Sequence, residues 1–264
     1  MKIGIIGLGA VGTAVKQGFE YIGNEVIGHD VKLNTKLNDI LDTEIVYICV
    51  GTPSDENGKC YIGAVDETIS NLSSLGYNGI VAIKSTVEPG TTTTYTNLYP
   101  HLNICFVPEF LRERCAYEDF VHNNNILIVG TDNDVVYTKI VESHGTLPVH
   151  KVQIKPIEAE LVKYFSNTYK ALRITFANSF AKIAEEMGGD YDVIKDSFLF
   201  HGIQEGHYLN VNKTFGGYGG MCLPKDVMAM NELVKKHNLD LGIFEFMDKE
   251  NNKFQKKVPK GMRL

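Results

Sequence analysis

No apolar run in the 264 residues approaches the ~20 that a membrane-spanning helix needs, so no membrane partner is expected. The eight histidines have no metal-ligand spacing, and no metal site is expected. Five cysteines, Cys49, Cys60, Cys105, Cys115 and Cys222, include no CxxC pair. An odd, scattered set does not build a disulfide framework and points to a reduced, cytoplasmic setting. Excess positive charge is missing too: the formal net charge is −6, which argues against a nucleic-acid partner held through phosphates. The start carries no charged-then-apolar leader, because Met1-Lys2-Ile3 passes directly into a strand pattern. No internal repeat or low-complexity segment is visible. What is left is ordinary globular composition, 44% hydrophobic and 22% charged, in a length sufficient for one large domain or two smaller ones.

The first ~150 residues alternate strand and helix patterns, the signature of an α/β domain. Lys2-Ile-Gly-Ile-Ile-Gly-Leu-Gly-Ala-Val-Gly12 is a short apolar strand running into GxGxxG, with glycines Gly7, Gly9 and Gly12. Residues 13–21 read as the helix that follows. A second strand, 25–30, ends in Asp30, 18 positions after Gly12. Strand, glycine turn, helix, strand and acidic residue together form the dinucleotide fingerprint of a Rossmann-type fold. A pyrophosphate would meet the helix N-terminus. Asp30 would accept from the adenosine ribose 2′-hydroxyl and repel a 2′-phosphate, which favours NAD over NADP; Lys32 nearby works against that preference. Further buried strands are expected at 45–50, 79–85, 103–107 and 125–130, and a helix at 91–98. Gly51-Thr52-Pro53 closes the first of these strands at its carboxyl end, where such sheets bind ligands.

From Pro156 to about Met187 no strong breaker occurs. Leu161, Phe165, Tyr169, Leu172 and Phe176 recur at helical spacing, which predicts one helix of about 30 residues, roughly 45 Å long. Lys163 and Asn167 are four apart and share a face of it. Shorter helices are expected at 190–200, 225–237 and 240–257, with no further strand. The domain boundary expected from this change is 1–155 against 156–264. Lys249, Lys253, Lys256, Lys257, Lys260 and Arg263 near the end read as a solvated helix end rather than a diphosphate contact.

Within the helical part lies Phe215-Gly-Gly-Tyr-Gly-Gly-Met-Cys222-Leu-Pro-Lys-Asp226. Glycines let the backbone turn sharply and approach a ligand. Pro224 suits the first turn of a helix. Cys222 is thus set beside a helix N-terminus with Lys225 close by, and both favour the nucleophilic thiolate. The alternative is a buried cysteine behind a flexible loop.

This loop resembles the catalytic-cysteine motif of the UDP-glucose/GDP-mannose dehydrogenase family. Four other stretches are similar to that family's motifs and follow in its order: Val50-Gly-Thr-Pro-Ser-Asp-Glu-Asn-Gly58, Lys84-Ser-Thr-Val-Glu-Pro-Gly-Thr-Thr92, Pro108-Glu-Phe-Leu-Arg-Glu113 and Ala159-Glu-Leu-Val-Lys-Tyr-Phe-Ser-Asn-Thr-Tyr-Lys-Ala-Leu-Arg173. The resemblance implies an NAD-dependent, four-electron oxidation of a nucleotide sugar to its uronic acid, UDP-glucose foremost. It implies Cys222 as nucleophile, Lys163 and Asn167 as the oxyanion site, and Asp226 as the carboxylate that organises water and proton transfer with Lys163. Glu113 is implied in thioester hydrolysis and Thr86 beside the nicotinamide. Cofactor contacts would come from Gly7, Gly9, Ala10, Val11, Gly12, Asp30, Val50, Gly51, Thr52, Thr86 and Glu113. Substrate contacts would come from Glu109, Phe110, Leu111, Lys163, Asn167, Tyr208, Phe215, Gly216 and Gly219. The family's long helix packs on its twin, so a homodimer is expected.

The chain departs from the family pattern in a short 30–45 connection, in the absence of a proline and arginine around 122–125, and in Met221. Residues 248–257 resemble the helix leading into the family's third domain, which is expected to be lacking. Two other readings stay open. One is a two-electron dehydrogenase of the β-hydroxyacid type, which needs no Cys222. The other is a non-catalytic NAD or nucleotide-sugar binding protein.

Overall fold

The computed structural model describes residues 1–200, 210–211 and 216–254. Its seven strands are β1 (Lys2–Ile6), β2 (Glu25–His29), β3 (Ile45–Ile48), β4 (Ile80–Ile83), β5 (Asn103–Phe106), β6 (Ile126–Gly130) and β7 (His150–Ile154). They form one sheet in the order β2-β1-β3-β4-β5-β6-β7. All neighbours are parallel except β5 and β6, which meet antiparallel at the pair Phe106 and Gly130. The helices are α1 (Ala10–Tyr21), α2 (Gly63–Ser74), α3 (Thr91–Leu98), α4 (Ala116–Val121), α5 (Asp134–His144), α6 (Pro156–Glu186), α7 (Tyr191–Leu199), α8 (Leu223–Lys236) and α9 (Ile243–Phe254).

The strands are nearly continuous apolar runs because both faces of the sheet are covered. Along β3, Ile45 and Tyr47 enter one core while Val46 and Ile48 enter the other. The first core is closed by Val15 and Phe19 of α1, Phe120 of α4 and Ile140 of α5; the second by Val65, Ile69 and Leu72 of α2 and Tyr95 of α3. Full burial of each such side chain contributes about 1.5–3 kcal/mol before the cost of ordering the chain. The step from β1 to β2 runs one way and the step from β2 to β3 returns past β1. The carboxyl ends of β1 and β3 are therefore the switch point at which an open parallel sheet takes its ligand.

The chain divides into two compact units, one of 1–53 with 60–163 and one of 54–59 with 164–264. The division falls inside α6, between Lys163 and Tyr164, later than the element boundary at Pro156. The α6 helix has 31 residues and opens on a proline, whose missing N–H costs nothing there. The 190–200 and 225–237 helices appear as α7 and α8, displaced by one or two residues. Among the described residues of the second unit there is no strand. Its core is small: Ala171, Tyr218, Val227 and Met247, with Ile174, Leu223 and Phe244 against them. The seventh strand was not foreseen. It is the edge strand His-Lys-Val-Gln-Ile, exposed over its first three residues, with only a brief alternation at Val152 and Ile154.

Candidate active site

The glycine turn after β1 is shaped for a close ligand. Gly7 has φ +92°, the left-handed region that favours glycine, and its N–H donates to the carbonyl of His29 at 2.8 Å. A Cβ on Gly12 would lie 1.8 Å from the Gly7 carbonyl oxygen, so only glycine lets α1 start this close to the turn. A Cβ on Gly9 meets nothing within 4 Å, which leaves open space above the turn. Ala10 and Val11 begin α1, whose N-cap makes no side-chain hydrogen bond. Its first N–H groups stay available to an anion. Asp30, at the end of β2, accepts from Leu8 N at 2.7 Å with one carboxylate oxygen and from Lys32 N at 2.9 Å with the other. These two bonds, the Lys32 one first, hold its carboxyl below the ordinary range and keep it ionised. Each oxygen retains a lone pair for a ribose hydroxyl. Val50, Gly51 and Thr52 follow β3 on the other side of the switch point, and Gly51 also faces open space. The residues present therefore fit a dinucleotide.

Thr86 is buried just past the end of β4, and its carbonyl accepts the Cys60 thiol at 3.4 Å. Beside it lies Lys84, an almost fully buried lysine with no assigned role in the sequence reading. Its Nζ is 2.9 Å from the Glu109 carboxylate and 5.8 Å from the centre of the Tyr47 ring. The other Glu109 oxygen accepts from Phe110 N at 2.7 Å and Leu111 N at 3.2 Å. Both oxygens of this carboxylate are thus already engaged, one by Lys84 and the other by the loop's own amides. The Glu109 carbonyl accepts from the Lys163 ammonium, which also lies 5.7 Å from the Phe110 ring centre. Arg112 fixes the far end of the loop by a two-pronged contact with Asp119, at 2.9 and 2.6 Å. That guanidinium pulls the Asp119 carboxyl down to about 2. Glu113 follows, exposed, in a short 3₁₀ turn.

One turn before Lys163, Glu160 is 0% exposed. It accepts from Gly90 N at 2.5 Å, Thr92 N at 2.8 Å and the Thr92 hydroxyl at 2.6 Å. It thereby caps the N-terminus of α3 from another helix. Desolvation pushes its carboxyl up against the pull of those donors.

In the second unit, Asn167 of α6 donates to Asp226 of α8 at 2.5 Å, and Lys225 donates to the other Asp226 oxygen at 2.6 Å. Asp226 is 1% exposed, so its charge is compensated by both partners. Cys222 is the N-cap residue of α8; its carbonyl accepts Asp226 N at 3.0 Å and its side chain is exposed. The other cysteines differ: burial pushes the Cys49 and Cys105 thiols up to about 12, as befits core residues. All five cysteines are free. Gly216 and Gly219 lie in the loop before Cys222, while Tyr208 and Phe215 lie outside the described residues. No metal-holding group of side chains exists among the described residues, and no helix there is long and apolar enough to cross a membrane.

A doubly wound sheet with this glycine turn defines a dinucleotide-binding protein. The chain belongs to the UDP-glucose/GDP-mannose dehydrogenase family: that family's NAD binding domain matches residues 30–144 and its central domain residues 157–253. NAD is accordingly its cofactor. A UDP-glucose 6-dehydrogenase of Rickettsia felis is 31% identical over 248 residues, covering 88% of this chain and 53% of that protein. Among solved structures, a UDP-glucose dehydrogenase of Pyrobaculum islandicum superposes with a TM-score of 0.87 at 25% identity, over 96% of this chain and 68% of that one. A UDP-D-ManNAc dehydrogenase of Pyrococcus horikoshii shares the fold, with a TM-score of 0.83 at 19% identity, over 96% of this chain and 69% of that one. The chain spans about half the length of the first curated relatives it matches.

Proposed function

We propose that the protein oxidises the C6 alcohol of a nucleotide sugar to the carboxylate, with UDP-glucose giving UDP-glucuronate, through a thioester on Cys222. The observation that carries this reading is the second unit's own arrangement. An exposed cysteine heads α8, and four residues on the buried Asp226 is hydrogen-bonded to Asn167. A single oxidation needs no such cysteine. Gly7, Gly9, Ala10, Val11, Gly12, Asp30, Val50, Gly51 and Thr52 would hold NAD, and two NAD bound in turn would each accept one hydride per sugar.

The roles of the chain's own groups follow from charge. The Cys222 thiolate adds to the C6 aldehyde, forming a C–S bond and an oxyanion. The Lys163 ammonium and the Asn167 amide are the donors for that oxyanion. Loss of a hydride from the same carbon leaves the thioester. Attack by water expels the thiolate and gives the acid, with Asp226 and Glu113 as carboxylates for the water's proton and Thr86 as a hydroxyl to orient it. Glu109, Phe110, Leu111 and Phe215 are assigned to substrate binding, and Tyr208, Gly216 and Gly219 to the sugar diphosphate.

The long helix supports a homodimer. Phe165 is 74% exposed and Phe176 59%, and Tyr169, Phe180 and Ile183 are also exposed. An apolar stripe of this length on α6 fits a second copy of the chain. Light scattering at the monomer mass would remove that part of the reading. Five free cysteines and a nucleotide substrate suit the cytoplasm.

The test of the chemistry counts NADH formed per UDP-glucose consumed. Two per sugar supports the thioester route. One per sugar favours a simple two-electron dehydrogenase, and none with NAD still bound favours a binding role.

A further inference from the structure

The glycine loop ahead of Cys222 has no helix or strand of its own to fix its path, yet one of its residues is held at two points. Tyr218 N donates to Asn251 Oδ1 at 2.7 Å, and Asn251 Nδ2 donates to Tyr218 O at 3.0 Å. A single side-chain amide on α9 thus pairs with both backbone polar groups of one loop residue, as a neighbouring strand would. Asn251 is 1% exposed, so neither bond is exchanged for water without cost. The loop is fitted to this amide. Gly217 has φ +79°, and a Cβ there would stand 2.3 Å from Asn251 Oδ1. A Cβ on Gly216 would meet Phe254 O of α9 at 3.0 Å and Asn178 Oδ1 of α6 at 3.1 Å. The Tyr218 ring is buried with Met247 of α9, Val227 of α8 and Ala171 of α6.

We propose that Asn251 is a positioning residue for Cys222, acting through the backbone of Tyr218. This rests on the reading of Cys222 as nucleophile. The apolar cluster alone fixes where the Tyr218 ring lies but leaves the peptide free to rotate about it. The amide fixes the two peptide groups that flank Tyr218, the 217–218 unit through its N–H and the 218–219 unit through its C=O. Beyond Tyr218 only Gly219, Gly220 and Met221 separate the clamp from Cys222. Gly220 has φ +77°, so the last turn depends on a conformation reached from a fixed start. A helix in the same unit as the nucleophile, but remote from it in sequence, thereby sets where the thiol is presented.

The experiment uses the full chain with Asn251→Ala, which removes both bonds, and Asn251→Asp. The aspartate keeps the acceptor for Tyr218 N but sets a carboxylate against Tyr218 O. Three readouts are taken: amide hydrogen exchange of the 216–222 peptide, iodoacetamide alkylation of each cysteine by peptide mass, and NADH formation from UDP-glucose. Exchange is expected to rise about tenfold or more in Asn251→Ala and less in Asn251→Asp. The Cys222 alkylation rate is expected to depart from wild type by about threefold or more, with Cys60 and Cys115 unchanged. Where turnover is measured, kcat falls and the KM for NAD does not. If Asn251→Ala unfolds the second unit, Asn251→Asp decides by the same readouts. Wild-type exchange and alkylation in the folded variants overturn the proposal. Acid formation that survives Cys222→Ser overturns the thioester reading instead, and leaves the exchange and alkylation results to judge the clamp alone.

Discussion

Apolar side chains have opposite fates in the two units. In the first, Ile3, Ile5, Ile45, Ile48, Val81 and Ile83 are wholly buried, and each face of the sheet is closed by helices of the same unit. In the second, the described core cluster is small, and large side chains face outward along α6, along α7 at Phe198 and just past it at Phe200. A sheet with both faces covered satisfies its own hydrophobic demand. A helix of 31 residues presents more apolar surface than its three short helical neighbours in the described chain cover. The first unit also hides charge as it hides apolar surface: Lys84 with Glu109, and Glu160 under α3, are built into its interior. In the second, the buried charge is gathered at Asp226, beside the cysteine.

The largest effect should come from breaking the second unit's chemistry while sparing the first. Cys222→Ser is expected to abolish acid formation and leave NAD affinity unchanged, measured by product analysis and NAD titration. Undiminished acid output sinks the thioester. Next, Lys84→Met removes one partner of a buried pair and is expected to cost the first unit about 3–5 kcal/mol in urea denaturation. Adding Glu109→Gln should recover part of the loss, because the stranded charge is gone. A single variant as stable as wild type would falsify the view that this pair is structural.

A third test is one of pH. His144 is buried among Phe19, Tyr47 and Phe120, and desolvation pulls its imidazole down to about 3. Between about pH 6.5 and 3 the unfolded chain binds a proton that the folded chain refuses. Stability is therefore present above 6.5 and lost as pH falls through that window, by about 1.4 kcal/mol per pH unit at mid-window. His144→Phe should flatten that slope; an unchanged acid limb removes His144 from the account. The smallest effect sharpens the contrast between the units. Phe176→Ser, at an exposed site, should change monomer stability by no more than about 0.5 kcal/mol. The same substitution should lower the mass seen in light scattering if α6 is the contact between copies.

Much of the fold could be read from the chain. Six strands announced themselves as apolar runs, and α6 as a long periodic stretch ended by Gly188 and Gly189. The edge strand β7 could not be read, since three of its five residues are exposed and its partner supplies the pattern. Of the candidate site, Cys222, Asn167, Asp226 and the glycine turn stand out in the sequence as motifs. Their supports do not. Lys84 looked like a strand-end lysine, and only the fold brings it to Glu109. Glu160 stood as one acid in an amphipathic helix, and nothing in its spacing names Thr92. Asn251 is a polar residue on a polar helix, whose partner is a backbone and leaves no mark in sequence. Residues that sit in a motif were legible; those whose partner is brought in only by the fold were not.

Asp30 couples cofactor preference to the turn's own integrity. Its carboxylate holds the Leu8 and Lys32 amides before any ribose arrives. A change at this position toward NADP would therefore withdraw the acceptor of the Leu8 amide in the glycine turn and that of the Lys32 amide after β2. Cofactor choice here is not a free dial. A substitution that turned it would have to supply the Leu8 amide with a new acceptor in the same step.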